Sequence, residues 1–369
     1  MIIILHPDVA ENGPEVAQLV ATAKRFAGVT TKVFSHKGEQ HSLTEVHLIG
    51  ETKVVPTSTF SELPFVVRVV RVSEKYRLLG RHEGQVAALG FDYRGVRFAQ
   101  DTLHVFPGLC AVDVRENVDA TFAAIARAGV TTARMGAYKP RTSPYDFQGH
   151  GKDCLPWVFE LAGKHGIKVV AMEITAERHL DEIREALRAS GDPTGVMLQI
   201  GTRNAQNFEL LKVVGQQQEL PVLFKRGMGI TLEEALNACE YVASEGNRNI
   251  VFCLRGVKSH LGAPHRNFID FAHVPVVKRL TRMPVCVDPS HSAGRRTRSP
   301  DGMTEIHHAT AEGVIVGANM VLVDFHPDPS RALVDGAQAL TLEELPAFLE
   351  DVAIVRDAYL RRTGQSIKT

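Results

Sequence analysis

The chain has 369 residues, 44% hydrophobic and 23% charged, a length that allows one large or two unequal soluble domains. Forty-two basic residues balance forty-two acidic ones, so nothing pulls the chain generally toward nucleic acid or a membrane, and any anion site must come from local clustering. No run approaches the roughly 18 apolar residues of a membrane span, and five cysteines (110, 154, 239, 253, 286) without a CxxC indicate a reducing cytoplasm instead of a disulfide framework.

Residues 1–82 read as a small unit. The opening Met-Ile-Ile-Ile-Leu-His-Pro lacks the basic region of a signal peptide and suits a strand over residues 2–5. Residues 15–26 place Val16, Leu19, Val20 and Ala23 at helical spacing. Residues 30–34 and 46–49 suit strands. Leu63, Val66, Val67 and Val70 suggest a helix over 61–72, and residues 76–79 a closing strand. The order β-α-β-β-α-β is the ferredoxin-like split motif. Residues 83–104 follow as a connecting hairpin around a turn at Asp92-Tyr-Arg-Gly95, placed to cap the bottom of the next domain.

From 105 to 369, apolar strand candidates at 105–112, 130–136, 168–174, 196–200, 221–225, 250–254, 284–288 and 319–325 alternate with helical patterns such as 117–128 and 231–244. Eight such units fit a (β/α)8 TIM barrel, whose sites lie at the C-terminal strand ends. A doubly wound sheet is the competitor, but no GxGxxG follows the first strand.

Residues with chemistry cluster at those strand ends. Arg134, Lys139 and Arg141 fall within eight residues, straight after the apolar run 128–133, and the prolines and glycines that follow forbid a helix. The segment is therefore a loop holding cations in place. Arginine offers a planar fork of donors and lysine a point charge, both suited to phosphate, and Thr142 and Ser143 add hydroxyls. Three further strand ends each deliver a cation: Arg203, Lys225 and Arg255. Glu173 follows an apolar strand, where poor solvation raises a carboxyl pKa toward a general acid/base value, unless it serves as an ion-pair partner of a nearby lysine or arginine. Cys110 ends the first strand, and such a cysteine is more often a buried small hydrophobe than a ligand. The residues alone support a barrel with a polyanion site and room for a metal.

The stretch KPRTSPYDFQGHG at 139–151 resembles the KPRTSPYSFQGLG signature of 3-deoxy-7-phosphoheptulonate synthases, in the short branch with an N-terminal ferredoxin-like domain. Further motifs extend the likeness over nearly the whole chain. QIGTRNAQNF is similar to the family's QIGARNAQNF, FKRG to LKRG, CLRG to CERG, DPSHSAGRR to DPSHSGGRR, VDFHPDP to the VEVHPEP of its eighth strand, and ALVDGAQ to ALSDGKQ.

The resemblance implies a condensation of phosphoenolpyruvate with erythrose 4-phosphate and water at the head of the shikimate pathway. It implies that Arg134, Lys139, Arg203, Lys225 and Arg255 hold phosphoenolpyruvate, that Arg141, Thr142 and Ser143 hold the acceptor phosphate, and that Lys139 and Glu173 handle protons. It implies a divalent ion (Mn, Co, Fe or Zn) on Cys110, His291, Asp324 and Asp335, a mixed soft and hard donor set. It also implies an aromatic effector at the N-terminal module and a homotetramer or homodimer.

The chain departs from the family at several places. PGLC replaces AGPC, Thr202 an alanine, Leu254 a glutamate, and Asp324 a metal-binding glutamate. Phe34-Ser35-His36 stands where the family has His-x-Ser before Lys-Gly. The loop spacing Lys139-Pro-Arg141-Thr142 speaks against the sister synthase of 3-deoxy-octulosonate 8-phosphate, whose loop reads KANRTS. A paralogue with another aldehyde acceptor and a barrel without catalysis are the remaining alternatives.

Overall fold

Four strands open the chain: β1 (Ile2–Leu5), β2 (Val29–Lys37), β3 (Ser42–Gly50) and β4 (Val66–Val70). They form an antiparallel sheet in the order β2-β3-β1-β4, with helices Pro14–Ala23 and Ser58–Ser61 in the two crossovers. This is the expected split motif. Ile3, Leu5, Val46 and Leu48 pack on Val16, Leu19 and Phe60 to make its core. The computed structural model describes residues 1–37, 42–71, 76–82 and 88–364, so Gly38 lies outside the described residues.

Two sequence expectations fail in this unit. The helix expected over 61–72 is not found in its described part: the helix ends at Ser61, and Val66–Val70 is a strand with Ile2 opposite Val70 and Ile3 opposite Val69, while residue 72 lies outside the described residues. Pro64 cannot continue a helix and four of the five residues in VVRVV are β-branched, so the strand wins over an apparent helical spacing. Residues 76–79 are turn, not strand; the amides of Leu78 and Leu79 donate to the Glu240 carboxylate, at 3.1 and 2.8 Å.

The chain divides into two compact units, Met1–Arg77 with His82–Gly84, and Leu78–Arg81 with Gln85–Thr369. In the second, β5 (Phe91–Tyr93) and β6 (Val96–Phe98) make a hairpin whose two turn residues, Arg94 and Gly95, have φ of 52° and 73°, as a tight hairpin turn requires. Eight parallel strands follow: β7 (His104–Leu109), β8 (Thr132–Met135), β9 (Val169–Ile174), β10 (Gly195–Ile200), β11 (Val222–Lys225), β12 (Ile250–Leu254), β13 (Val285–Val287) and β14 (Met320–His326). Each bonds to the next and β14 bonds back to β7, closing the barrel. All eight coincide with the expected strands, their ends within three residues. Their near-continuous apolar runs follow from burial on both faces, against the barrel interior and against the helical layer.

The hairpin fills the N-terminal end of the barrel. Val96 and Phe98 join Phe106, Ala171, Met197, Leu223, Val251 and Leu322 in one interior cluster. The Val196 amide donates to the Tyr93 hydroxyl at 3.0 Å, and a β-carbon on Gly195 would lie 2.6 Å from the Tyr93 ring. With that end plugged, the C-terminal strand ends are left to form a cleft. Among the described residues no helix is long and apolar enough to cross a membrane.

Candidate active site

The cleft is built by close backbone approach at its first two strands. Gly108 has φ of 148°, and a β-carbon there would lie 2.2 Å from the Arg134 carbonyl; one on Gly136 would lie 2.2 Å from the Cys110 carbonyl. These glycines bring Cys110, Arg134 and Lys139 together. Lys139 Nζ donates to the Cys110 carbonyl at 2.9 Å and lies 3.3 Å from its sulfur and 3.8 Å from the Glu173 carboxylate. Burial by itself lowers the Lys139 pKa; the negative charges of Cys110 and Glu173 outweigh it, and the net shift is upward.

Glu173 also accepts from Gln199 Nε2 at 3.2 Å. It is buried, and both readings of the sequence meet here: the carboxylate has a lysine neighbour and also lines the cleft. Arg203 and Thr142, from different strand ends, meet at 3.2 Å. Arg141 pairs with Asp146 at 3.3 Å, and all four line the cleft. Ser143 does not line it; its hydroxyl accepts from the Tyr145 amide.

Deeper in, Lys225 forms a buried ion pair with Asp288. Asp288 accepts from the His291 amide at 3.0 Å, capping the short helix Pro289–Ala293, and from His291 Nδ1 at 3.1 Å. Burial raises the Asp288 pKa, but His291 and Lys225 overcome it and hold it well below the carboxylate range. For His291 burial acts downward, and Asp288 and Asp324 hold it up to about 10. Arg255 is 2% exposed, and its Nε and Nη1 have no hydrogen-bond partner. Burial lowers its pKa.

The four expected metal ligands lie together. Cys110 Sγ is 3.6 Å from His291 Nε2 and 3.1 Å from Asp335 Oδ2, and that oxygen is 3.5 Å from Nε2. A four-coordinate ion bonded to sulfur at about 2.3 Å and to nitrogen and oxygen at about 2.1 Å keeps such ligands about 3.4–3.6 Å apart; the two His291 separations match that, and the shorter Cys110–Asp335 contact needs only a small opening to admit an ion. Donor atoms of Cys110, His291 and Asp324 also lie within 4.8 Å of one another. Burial raises the Asp335 pKa, but His291 and Arg266 hold it far below the carboxylate range.

Sequence reasoning missed Arg266, Gln338 and the function of Asp288. Arg266 Nη1 donates to Asp335 Oδ1 and to Gln338 Oε1, both at 3.0 Å. It comes from the loop after β12, far from any strand end, so no positional signal marked it. A β-carbon on Gly294 would lie 2.2 Å from the Arg266 β-carbon, so that glycine seats it. Asp288 and Gln338 stood inside quoted motifs without a role.

Comparison with known proteins places these observations in a lineage. Residues 87–359 match the family described as the DAHP synthetase I family. The chain is 36% identical over 97% of its length to the phospho-2-dehydro-3-deoxyheptonate aldolase of Thermotoga maritima, covering 98% of that protein. It is 26% identical over 73% of its length to the 2-dehydro-3-deoxyphosphooctonate aldolase of Syntrophobacter fumaroxidans, covering 94% of that one. A crystal structure of the Thermotoga maritima phospho-2-dehydro-3-deoxyheptonate aldolase (DAHP synthase) superposes with a TM-score of 0.69 at 33% identity, covering 97% of both chains.

Proposed function

Because the chain belongs to the DAHP synthetase I family, we propose that it condenses phosphoenolpyruvate with erythrose 4-phosphate and water to give 3-deoxy-arabino-heptulosonate 7-phosphate and phosphate. The observation that carries this reading is Arg255. A guanidinium that is 2% exposed, with two nitrogens unpaired, at the wall of a cleft calls for an anionic ligand.

Phosphoenolpyruvate supplies two anionic groups. Arg255, Arg203, Lys225 and Lys139 line the cleft and, with the buried Arg134, hold its phosphate and carboxylate. The acceptor phosphate reaches Arg141 and Thr142 at the outer end. Carbon 3 of the enol attacks the aldehyde carbon, and Lys139 gives a proton to the oxygen that becomes a hydroxyl. Positive character develops at carbon 2, where water adds; Glu173, between Gln199 and Lys139, takes its proton. The hemiketal phosphate then releases inorganic phosphate.

The Cys110–His291–carboxylate cluster would hold a divalent ion, which would supply Lewis acidity for the condensation. The protein's own part is to hold both substrates in line. The N-terminal unit acts in this reading as the sensor of an aromatic effector in a homotetramer or homodimer.

Phosphate release measured with phosphoenolpyruvate and erythrose 4-phosphate tests the reading. Turnover is expected with this pair, to fall with chelator and to return with Mn or Co. No phosphate release with any tetrose or pentose phosphate, in metal-loaded protein, refutes it. Tyrosine, phenylalanine and tryptophan added to the assay test the effector.

A further inference from the structure

Asp324 lies within 4.8 Å of the Cys110 and His291 donor atoms but differs from the other three expected ligands in what its oxygens already bind. It is fully buried, and both carboxylate oxygens are engaged. Oδ1 accepts from Arg134 Nη1 at 2.5 Å, and Oδ2 accepts from Gln338 Nε2 at 2.6 Å. Its closest approach to His291 is to Nδ1, at 3.9 Å, the nitrogen already held by Asp288. Cys110 and Asp335 face the other nitrogen, Nε2. The mutual separations of Cys110, His291 and Asp335 suit a single ion with only a small opening of the Cys110–Asp335 contact.

Drawing Asp324 toward that ion would strip the counter-ion from Arg134, which is 2% exposed and whose Nε already lacks a partner. An uncompensated buried guanidinium is strongly destabilising. Asp324 also connects to the ion site indirectly. Gln338 accepts from Arg266, and Arg266 holds the Asp335 oxygen that faces away from Cys110. A chain of five side chains thus runs from Arg134 through Asp324, Gln338 and Arg266 to Asp335.

We propose that the divalent ion is held by Cys110, His291 and Asp335, and that Asp324 is a positioning residue that orients Arg134 toward the anionic substrate. This rests on the metal-dependent reading of the cluster and specifies which side chains bind. It also gives the shorter carboxylate a reason. An aspartate on β14 reaches Arg134 and Gln338 and stops there, about 1.5 Å short of where one more methylene would carry a glutamate.

Cobalt(II) added to metal-free full-length protein is the probe. Thiolate-to-cobalt charge transfer reports Cys110, the visible d–d bands report coordination geometry, and competition with a chelator gives affinity. Asp324→Asn is expected to bind one cobalt with the wild-type d–d pattern and affinity within about tenfold, the lower end of outer-shell effects. Asp335→Asn should lose the pattern and at least about a hundredfold in affinity. In metal-saturated Asp324→Asn, the KM for phosphoenolpyruvate should rise about tenfold while kcat stays within about threefold, a split that a general loss of fold does not give.

If Asp324→Asn folds poorly, the double variant Asp324→Leu with Arg134→Met removes both buried charges together and should keep the charge-transfer and d–d bands. An Asp324 variant that is folded yet loses the d–d pattern as Asp335→Asn does makes Asp324 a direct ligand and overturns the proposal. Wild-type protein with the cobalt bands but no turnover on phosphoenolpyruvate and erythrose 4-phosphate would refute the assigned reaction and leave the ligand assignment standing. Wild-type protein without the bands would end both.

Discussion

Gly201 gives the Glu173 carboxylate its room: a β-carbon at 201 would lie 1.7 Å from Glu173 Oε1. Two adjacent strands, β9 and β10, run in register with Glu173 opposite Gln199, and the chain continues two residues further to Gly201. The carboxylate therefore occupies space that only glycine leaves free. Gly201→Ala is expected to displace Glu173 and to lower kcat at least about a hundredfold, on the scale of a misplaced general base. Circular dichroism should stay native, because Gly201 is not a positive-φ position. Wild-type kcat in this variant would remove Glu173 from the chemistry.

Arg255 should show opposite effects on stability and binding. A buried donor left unmade costs about 1–3 kcal/mol, so Arg255→Met is expected to raise the unfolding free energy of ligand-free protein. The same change should raise the KM for phosphoenolpyruvate at least about tenfold, the loss of a charge-assisted contact worth about 1.5–3 kcal/mol. Denaturant unfolding with and without phosphoenolpyruvate measures both. A variant less stable than wild type in the absence of ligand means that Arg255 has an internal partner after all.

Lys225 and Asp288 behave differently, because each is the other's buried counter-ion. Lys225→Met removes the ion-pair partner of buried Asp288 and should cost about 3–5 kcal/mol in stability. The double variant Lys225→Met with Asp288→Leu should recover part of that stability and none of the activity. Equal stability of Lys225→Met and wild type in urea unfolding would contradict the pairing.

Lys278 gives the barrel a pH dependence remote from the cleft. Burial, with Arg356 and Arg81 adding to it, pushes its pKa down to about 8 from 10.5, while its amine donates to the carbonyls of Gly317 and Gln100. Between pH 8 and 10.5 the unfolded chain holds the extra proton, so stability from this group rises with pH. The penalty is complete below pH 8 and vanishes above 10.5. At about 1.4 kcal/mol per pKa unit, the stability of wild type relative to Lys278→Met should rise by at most about 3 kcal/mol across that window. A pH-independent difference would show that Lys278 is not depressed.

The sequence by itself determined the barrel and most of its mouth. Strands buried on both faces are written as apolar runs, and cations that follow such runs gather at the cleft, so Arg203, Lys225 and Arg255 were legible from order alone, while His291 and Asp324 were legible only through the family motifs they stand in. Tertiary structure decided what no local pattern carries. The strand at 66–70 was settled by pairing with β1, which let β-branching and Pro64 prevail over an apolar spacing that also suits a helix. Arg266 enters the site from a loop, and its link to Asp335 spans 69 positions. Whether a carboxylate at 324 meets a metal or an arginine depends on Arg134, 190 positions away, and on Gln338. Charge partners in a barrel are set by which strand ends converge across the cleft, and convergence is a property of the closed sheet, not of any stretch within it.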